Sequence, residues 1–311
     1  MMSETSWGRR KYRTTNWKVY NAALKARGDL TIWLDKSMQW LATPTGKRGR
    51  SQTFSDAAIQ FCLTIKCLFG LPLRQTLGLV QSLLKMAGLP WVAPDYSTVC
   101  RRQKGLDVRV HYRPSRNGLH MLADSTGIKF LGEGEWKTKK HGAEWRRQWR
   151  KVHLGIDAET LQIRSIVVTT NEVGDSPVAA ELLSQIPSHE KLASFTGDGA
   201  YDTQDVHEAC HHRGAIPIIP PRKGARLRKG LAFAHRNEAV KACKRLGRAI
   251  WKRWSGYHRR SLVETKMNCF KRLGEKVMAR TFERQVAELN IRASILNQFT
   301  ELGTPQTVAV A

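Results

Sequence analysis

The hydrophobic pattern of this chain changes period once, near residue 118, and that change dictates most of what it can fold into. Upstream, apolar residues recur at three- and four-residue steps, the mark of helices. SDAAIQFCLTIKCLFG carries Ile59, Cys62, Leu63 and Cys67 in such steps, with Ser55 and Asp56 as capping residues and Gly70 and Pro72 as the stop. LRQTLGLVQSLLKMAG and DYSTVCRRQKGL supply two more helices. Downstream, HMLADSTGIKF, RKVHLGID, LQIRSIVVTT, LASFTGD and AIPIIPP read as five strands. The first three are consecutive, and later ones alternate with the helical segments SPVAAELLSQI and TQDVHEACHHRG, the latter stopped by Gly214. That order predicts an α/β fold: a mixed five-stranded sheet with an antiparallel start, flanked by helices and preceded by an all-α unit.

The same reading divides the chain. Residues 1–52 form a basic arm and linker, 53–115 a helical domain, 116–302 the α/β domain, and 303–311 a tail. A basic insertion at about 221–256 interrupts the third of these; in it NEAVKACKRLGRAIWKRW reads as one helix with Ala239, Ala242, Leu246 and Ile250 on one side. TFERQVAELNIRASILNQFTELG reads as an amphipathic helix closed by Gly303.

Charge narrows the function. Fifty-two Lys and Arg stand against 26 Asp and Glu, a formal charge of +26, which points to a polyanionic partner because each cation set against a phosphate releases a condensed counterion. Residues 137–151 hold Lys137, Lys139, Lys140, Arg146, Arg147, Arg150 and Lys151 against Glu144 alone, interleaved with Trp145 and Trp149. The third helix carries Arg101, Arg102 and Lys104, in keeping with a helix-turn-helix on DNA or, equally, with a helical bundle that only packs. Trp136, Trp145, Trp149, Trp251 and Trp254 lie amid cations, where they would stack on bases or, the commoner fate, pack in a core. No apolar run reaches membrane-spanning length, MMSETSWGRRKYR has no signal-peptide core, and six scattered cysteines read as core thiols of a reducing cytoplasm.

Three acids stand where chemistry could use them. Asp124 lies in an apolar-flanked strand, Asp198 between glycines after another, and Glu264 in a cation-rich helix. Carboxylates so placed face desolvation and mutual repulsion unless a cation neutralises them, and hard divalent ions take oxygen ligands. At about 100° per residue, Tyr257, Arg260, Glu264 and Lys271 fall within about 60° on a helix, opposite the apolar stripe of Leu262, Val263, Cys269, Phe270 and Leu273. Asp157 and Asp202 read as turn or helix caps, and a zinc reading of His207, Cys210, His211 and His212 lacks a second ligand pair.

Asp124, Asp198 and Glu264, with Tyr257, Arg260 and Lys271 spaced around the glutamate, resemble the YREK signature of bacterial insertion-sequence transposases with a DDE triad, of the insertion-sequence-five type. PDYSTVCRRQK, ADSTGIK, GEGEWKTKKHG, WRKVHLGID, GDGAYDT, IIPPRK and RWSGYHRRSLVETKM follow that family in order, so the likeness spans roughly residues 20–302. It implies an RNase H-like catalytic domain behind a helical DNA-binding domain. Asp124, Asp198 and Glu264 would hold two Mg2+ ions, with Mn2+ able to substitute. The chain would bind the terminal inverted repeats of its own element, cut there, and join the freed 3′-hydroxyl to target DNA by in-line phosphodiester displacement. Arg260 and Lys271 would bind phosphate near the scissile bond, Tyr257 backbone or base, and Arg101, Arg102, Lys139, Lys140, Arg146 and Arg147 the duplex. The implied setting is the bacterial cytoplasm, at the nucleoid and away from membranes, with double-stranded DNA of transposon ends and target as partner and a homo-oligomer on it. The alternatives are a non-catalytic repressor derived from a transposase and a metal-dependent nuclease of the same fold.

Overall fold

The computed structural model describes residues 11–44, 46, 48–49, 51–130 and 149–310. Lys139, Lys140, Arg146 and Arg147, with Trp136 and Trp145, lie outside the described residues.

The helical unit forms where the capping signals stand. Ser55 accepts a hydrogen bond from the Ala58 amide and Gly70 takes a left-handed φ of 63°, bounding α2 (Asp56–Phe69). Pro72 precedes α3 (Leu73–Met86), and the Asp95 side chain accepts from the Ser97 amide to open α4 (Tyr96–Arg102). Ile59, Leu63, Val80, Leu84 and Val99 close their shared core. The segment expected as an arm forms regular elements and buries Ala23 and Trp40, while Tyr12, Trp17 and Val19 stay exposed. It supplies β1 (Lys11–Thr14) and α1 (Trp17–Ala26), and Trp40 is buried in the helical core, stacked on Trp91 at 5.0 Å. Aromatic burial without periodicity holds this stretch, and periodicity could not reveal it. The expected tail likewise yields β8 (Thr307–Val310), antiparallel to β1.

The five expected strands are β2 (Leu119–Phe130), β3 (Trp149–Asp157), β4 (Ile163–Thr170), β5 (Leu192–Thr196) and β6 (Ile216–Ile218). They order as β4-β3-β2-β5-β6, antiparallel from β2 to β4 and parallel from β2 to β6. A sixth strand, β7 (Lys276–Val277), pairs with Lys129 and Phe130 and is too short to mark itself in sequence. The count is therefore six, in a mixed sheet flanked by helices with further helices N-terminal to it, the RNase H-like α/β arrangement.

Helices cover both faces. Leu119, Met121 and Ala123 pack against α5 (Ala179–Ser184) and α6 (Gln204–His212), while Leu122, Val152, Leu154 and Ile156 meet α9 (Ser261–Arg272) and α10 (Phe282–Leu302). The basic helix expected across the insertion is broken at Gly247, φ 86°, into α7 (Ala234–Leu246) and α8 (Arg248–Trp254). The break turns the stripe: Arg236, Ala239, Val240 and Trp251 are buried, whereas Leu246 and Ile250 are exposed. Helix α10 is buried on two sides. Ala287, Ile291 and Ile295 enter the helical-unit core, and Leu289, Ala293 and Leu296 the sheet core, each Leu or Ile contributing about 1.5–3 kcal/mol. Between them Glu288 pairs with Arg292 of its own helix at 3.0 Å and Lys66 of α2 at 3.4 Å. Among the described residues no single helix is long and apolar enough to cross a membrane.

Candidate active site

Strand alternation aims the first acid. Asp124 is in phase with Leu122 and so faces α9. Parallel pairing sets Leu122 beside Thr196, and two residues beyond each stand Asp124 and Asp198. Asp198 leaves β5 into a tight turn, its Oδ1 accepting from the Ala200 amide at 2.8 Å. The residue before it can only be glycine, because a Cβ on Gly197 would lie 2.6 Å from Cδ2 of Tyr201. Glu264 comes from the other direction: Val263, Met267 and Phe270 dock α9 on the sheet and leave the glutamate exposed on the first turn.

One cation ties these carboxylates together. Arg260 donates through one Nη to Asp124 Oδ2 at 3.1 Å and through the other to Glu264 Oε1. Asp124 Oδ1 accepts from the Ser125 amide at 2.9 Å. Burial raises the Asp124 carboxyl above its ordinary value, the negative charges of Asp198 and Glu264 push the same way, and the Ser125 amide and Arg260 only partly offset them. Half-buried Tyr257 joins the group; desolvation raises its phenol, which feels Arg260 and all three acids. Its ring leans on Trp251 at 5.9 Å with Lys252 Nζ 5.2 Å from its centre. Tyr257 and Arg260 belong to a 3₁₀ turn opened by Gly256 at φ 72°, so the α-helical wheel does not describe them, yet the turn still delivers both to the acids. Lys271 is exposed on the last turn of α9, about 10 Å along the axis from Glu264, and is not brought to the carboxylates.

The chemistry of this donor set suits a hard divalent cation: three carboxylates, one of them starved of compensating charge. Among the described residues no three acidic, His or Cys side chains stand close enough to cage an ion, and a guanidinium bridges Asp124 and Glu264. Glu264, though held by Arg260, is 55% exposed.

Two further acids surround the site. Asp175 forms an ion pair with Lys151 Nζ at 2.9 Å and approaches His153 Nδ1 at 3.3 Å. Burial alone would raise its carboxyl, but hydrogen bonds from His153, Lys151 and Ser125 hold it well below the usual carboxylate range. The visible signal was the alternation of Lys151 and His153 on a buried strand, opposite Gly127 and Ser125. Asp202, read as a cap, is a buried hub. It takes Arg236 Nε at 2.7 Å, the Arg222 amide at 2.9 Å and His207 Nε2 at 3.1 Å. Arg222 also donates to the carbonyls of Gly199 and Ala200, pinning the insertion to the Asp198 turn.

Other expected contacts fall unevenly. Arg101 is exposed on α4, whereas Arg102 turns inward to the Phe54 carbonyl at 2.8 Å and Asp56 at 2.5 Å. Trp254 is 77% exposed, against the expectation of core packing, because α8 presents Trp251 inward instead. His207 is spent on Asp202 and Cys210 on the core, which leaves no zinc set.

Two sequence-family models, each described as a transposase DDE domain, match the chain. One covers residues 25–133 and the other residues 116–298, more than half of the whole.

Proposed function

The chain belongs to the DDE transposase family, and from that premise we propose that it binds the terminal inverted repeats of an insertion sequence, cuts DNA there and joins the cut end to a target. Asp124, Asp198 and Glu264 are the residues that would hold Mg2+, or Mn2+ in its place. The observation that carries this reading is that Arg260 bridges Asp124 and Glu264 while Asp198 stands two residues beyond the Thr196 that pairs with Leu122, level with Asp124. When bound, the divalent ions supply Lewis-acid activation of the attacking oxygen and stabilisation of the leaving one.

The chain's own groups do the rest. Asp124 and Asp198 would hold the cation from the ends of neighbouring strands, and their separation is set by the sheet. Glu264 completes the set from the exposed first turn of a helix. Arg260 holds Asp124 and Glu264, and its guanidinium would offer a bidentate contact to a phosphate at the site. Tyr257 walls the site toward the insertion. Arg101, Lys271 and the cations of α7 and α8 bind duplex backbone without reading sequence. Two ends brought together imply a homo-oligomer on DNA.

Cleavage of a duplex carrying the element's ends, compared between wild type and Asp198→Ala in Mg2+, tests the reading. The variant is expected to bind the duplex as tightly and to lose cutting; equal cutting by both proteins would overturn the assignment of Asp198. Failure to join a pre-cut 3′-end, with cutting intact, would make the protein a nuclease instead.

A further inference from the structure

Beneath the strand that carries Asp124 lies a polar cluster that the proposed chemistry does not use. Ser125 and Gly127 point to the face of β2 opposite Asp124, and their partners across the ladder are His153 and Lys151. Asp175 reaches that face from the segment after β4, with Lys151 Nζ at 2.9 Å and His153 Nδ1 at 3.3 Å. The same ammonium donates to the Val173 carbonyl at 3.2 Å, and His153, fully buried, meets Thr169 Oγ1 through Nε2 at 3.0 Å. Buried ion pairs are a weak source of stability, and apolar side chains of similar volume commonly serve as well. Holding the sheet together does not account for this cluster.

Its position supplies another role. The β2–β5 ladder that sets the separation of the two aspartates ends at Leu122 and Thr196, two residues short of each acid. Two bonded paths cross that gap from the segment of Asp175. Ser125 donates its hydroxyl to Asp175 and its amide to Asp124 Oδ1, the latter at 2.9 Å. On the other side Ser176, the next residue in the chain, pairs its Oγ with Thr203 Oγ1 at 3.0 Å. Thr203 closes the turn that begins at Asp198: its amide donates to the Tyr201 carbonyl at 2.8 Å, and the Tyr201 amide to the Asp198 carbonyl at 3.1 Å.

We propose that Asp175 is a positioning residue that carries the spacing between Asp124 and Asp198 past the end of the ladder, keeping both carboxylates in reach of one cation. The proposal rests on the reading of Asp124, Asp198 and Glu264 as a divalent-cation site.

The test is titration of Mn2+ into the full chain, with free Mn2+ followed by electron paramagnetic resonance, for wild type, Asp175→Asn, Ser176→Ala and Asp198→Ala. Circular dichroism at the titration temperature establishes which variants are folded. Asp175→Asn and Ser176→Ala are each expected to bind Mn2+ about 10–100-fold more weakly, the usual loss when a group that orients metal ligands is removed. Asp175→Asn should also lower Tm, because Lys151 loses its ion-pair partner. Ser176→Ala removes one hydroxyl and leaves that pair in place, so it decides the matter should Asp175→Asn not fold. A cluster that only holds the sheet predicts a lowered Tm with Mn2+ affinity at the wild-type level, and unchanged affinity in either folded variant overturns the proposal. If wild type binds no Mn2+, or Asp198→Ala binds it as wild type does, the cation site itself is wrong and the role of Asp175 falls with it.

Discussion

Asp202 and Asp124 lie on either side of one turn and meet opposite fates. Asp202 is 1% exposed in its side chain, yet Arg236, His207 and a backbone amide surround it, and although burial would raise its carboxyl, those donors hold it well below the ordinary range. Asp124 is less buried, has one amide and one shared guanidinium, and sits above the ordinary range. Depth alone does not distinguish them; compensation does. Where the fold can saturate an acid it uses the acid as a fastener, here between the Asp198 turn and the basic insertion. Where it leaves Asp124 and Glu264 sharing one guanidinium beside Asp198, it stores electrostatic cost that a cation from outside can relieve.

Removing the fastener is the strongest way to break this contrast. Asp202→Ala strands Arg236 without an opposite charge in a buried site, and loss of one partner of such a pair costs about 3–5 kcal/mol. The midpoint of urea unfolding should fall accordingly. A loss under about 1 kcal/mol would mean that Asp202 is no better compensated than Asp124.

A smaller effect comes from acid. The folded-state carboxyls of Asp175 and Asp202 are held below their unfolded values, so the stability they contribute is present above the ordinary aspartate range near pH 4 and is lost as pH falls through it. Unfolding followed from pH 6 to pH 3 should show that decline, and Asp202→Asn should flatten it. An unchanged slope in the variant would remove Asp202 from the account.

The two clusters were not equally legible beforehand. Helix α2 was, because Ser55 and Gly70 are local signals whose physics acts within four residues. The five strands were, because buried strands write their period into consecutive residues. Asp124, Asp198 and Glu264 stood out as acids in the wrong surroundings. What escaped depends on contacts between distant segments: Asp175 with Lys151 and His153, Arg102 turned toward Asp56, and Trp40 against Trp91. The break at Gly247 escaped for another reason. Glycine is tolerated inside a helix at about 1 kcal/mol, so its presence does not reveal whether the backbone will turn there.

The finest test of the contrast is a substitution that stabilises. Asp124 has a folded-state carboxyl raised above its unfolded value, so between those two values the folded chain retains a proton that the unfolded chain has released. Stability therefore declines as pH rises through that window, and above it the ionised, under-compensated carboxylate is a standing cost. Asp124→Asn abolishes the charge while leaving an oxygen for the Ser125 amide, and Arg260 retains Glu264. In chelator at pH 7 the variant should be more stable than wild type by about 0.5–2 kcal/mol, the usual yield of relieving a strained functional position. Near pH 3.5 the gain should shrink, because wild-type Asp124 is then protonated in both states. Added Mg2+ should reverse the ranking, since a ligand that binds only the folded wild type raises its Tm by mass action. A variant less stable than wild type in chelator at pH 7 would show that Asp124, like Asp202, is a fastener, and the distinction between the two acids would be lost.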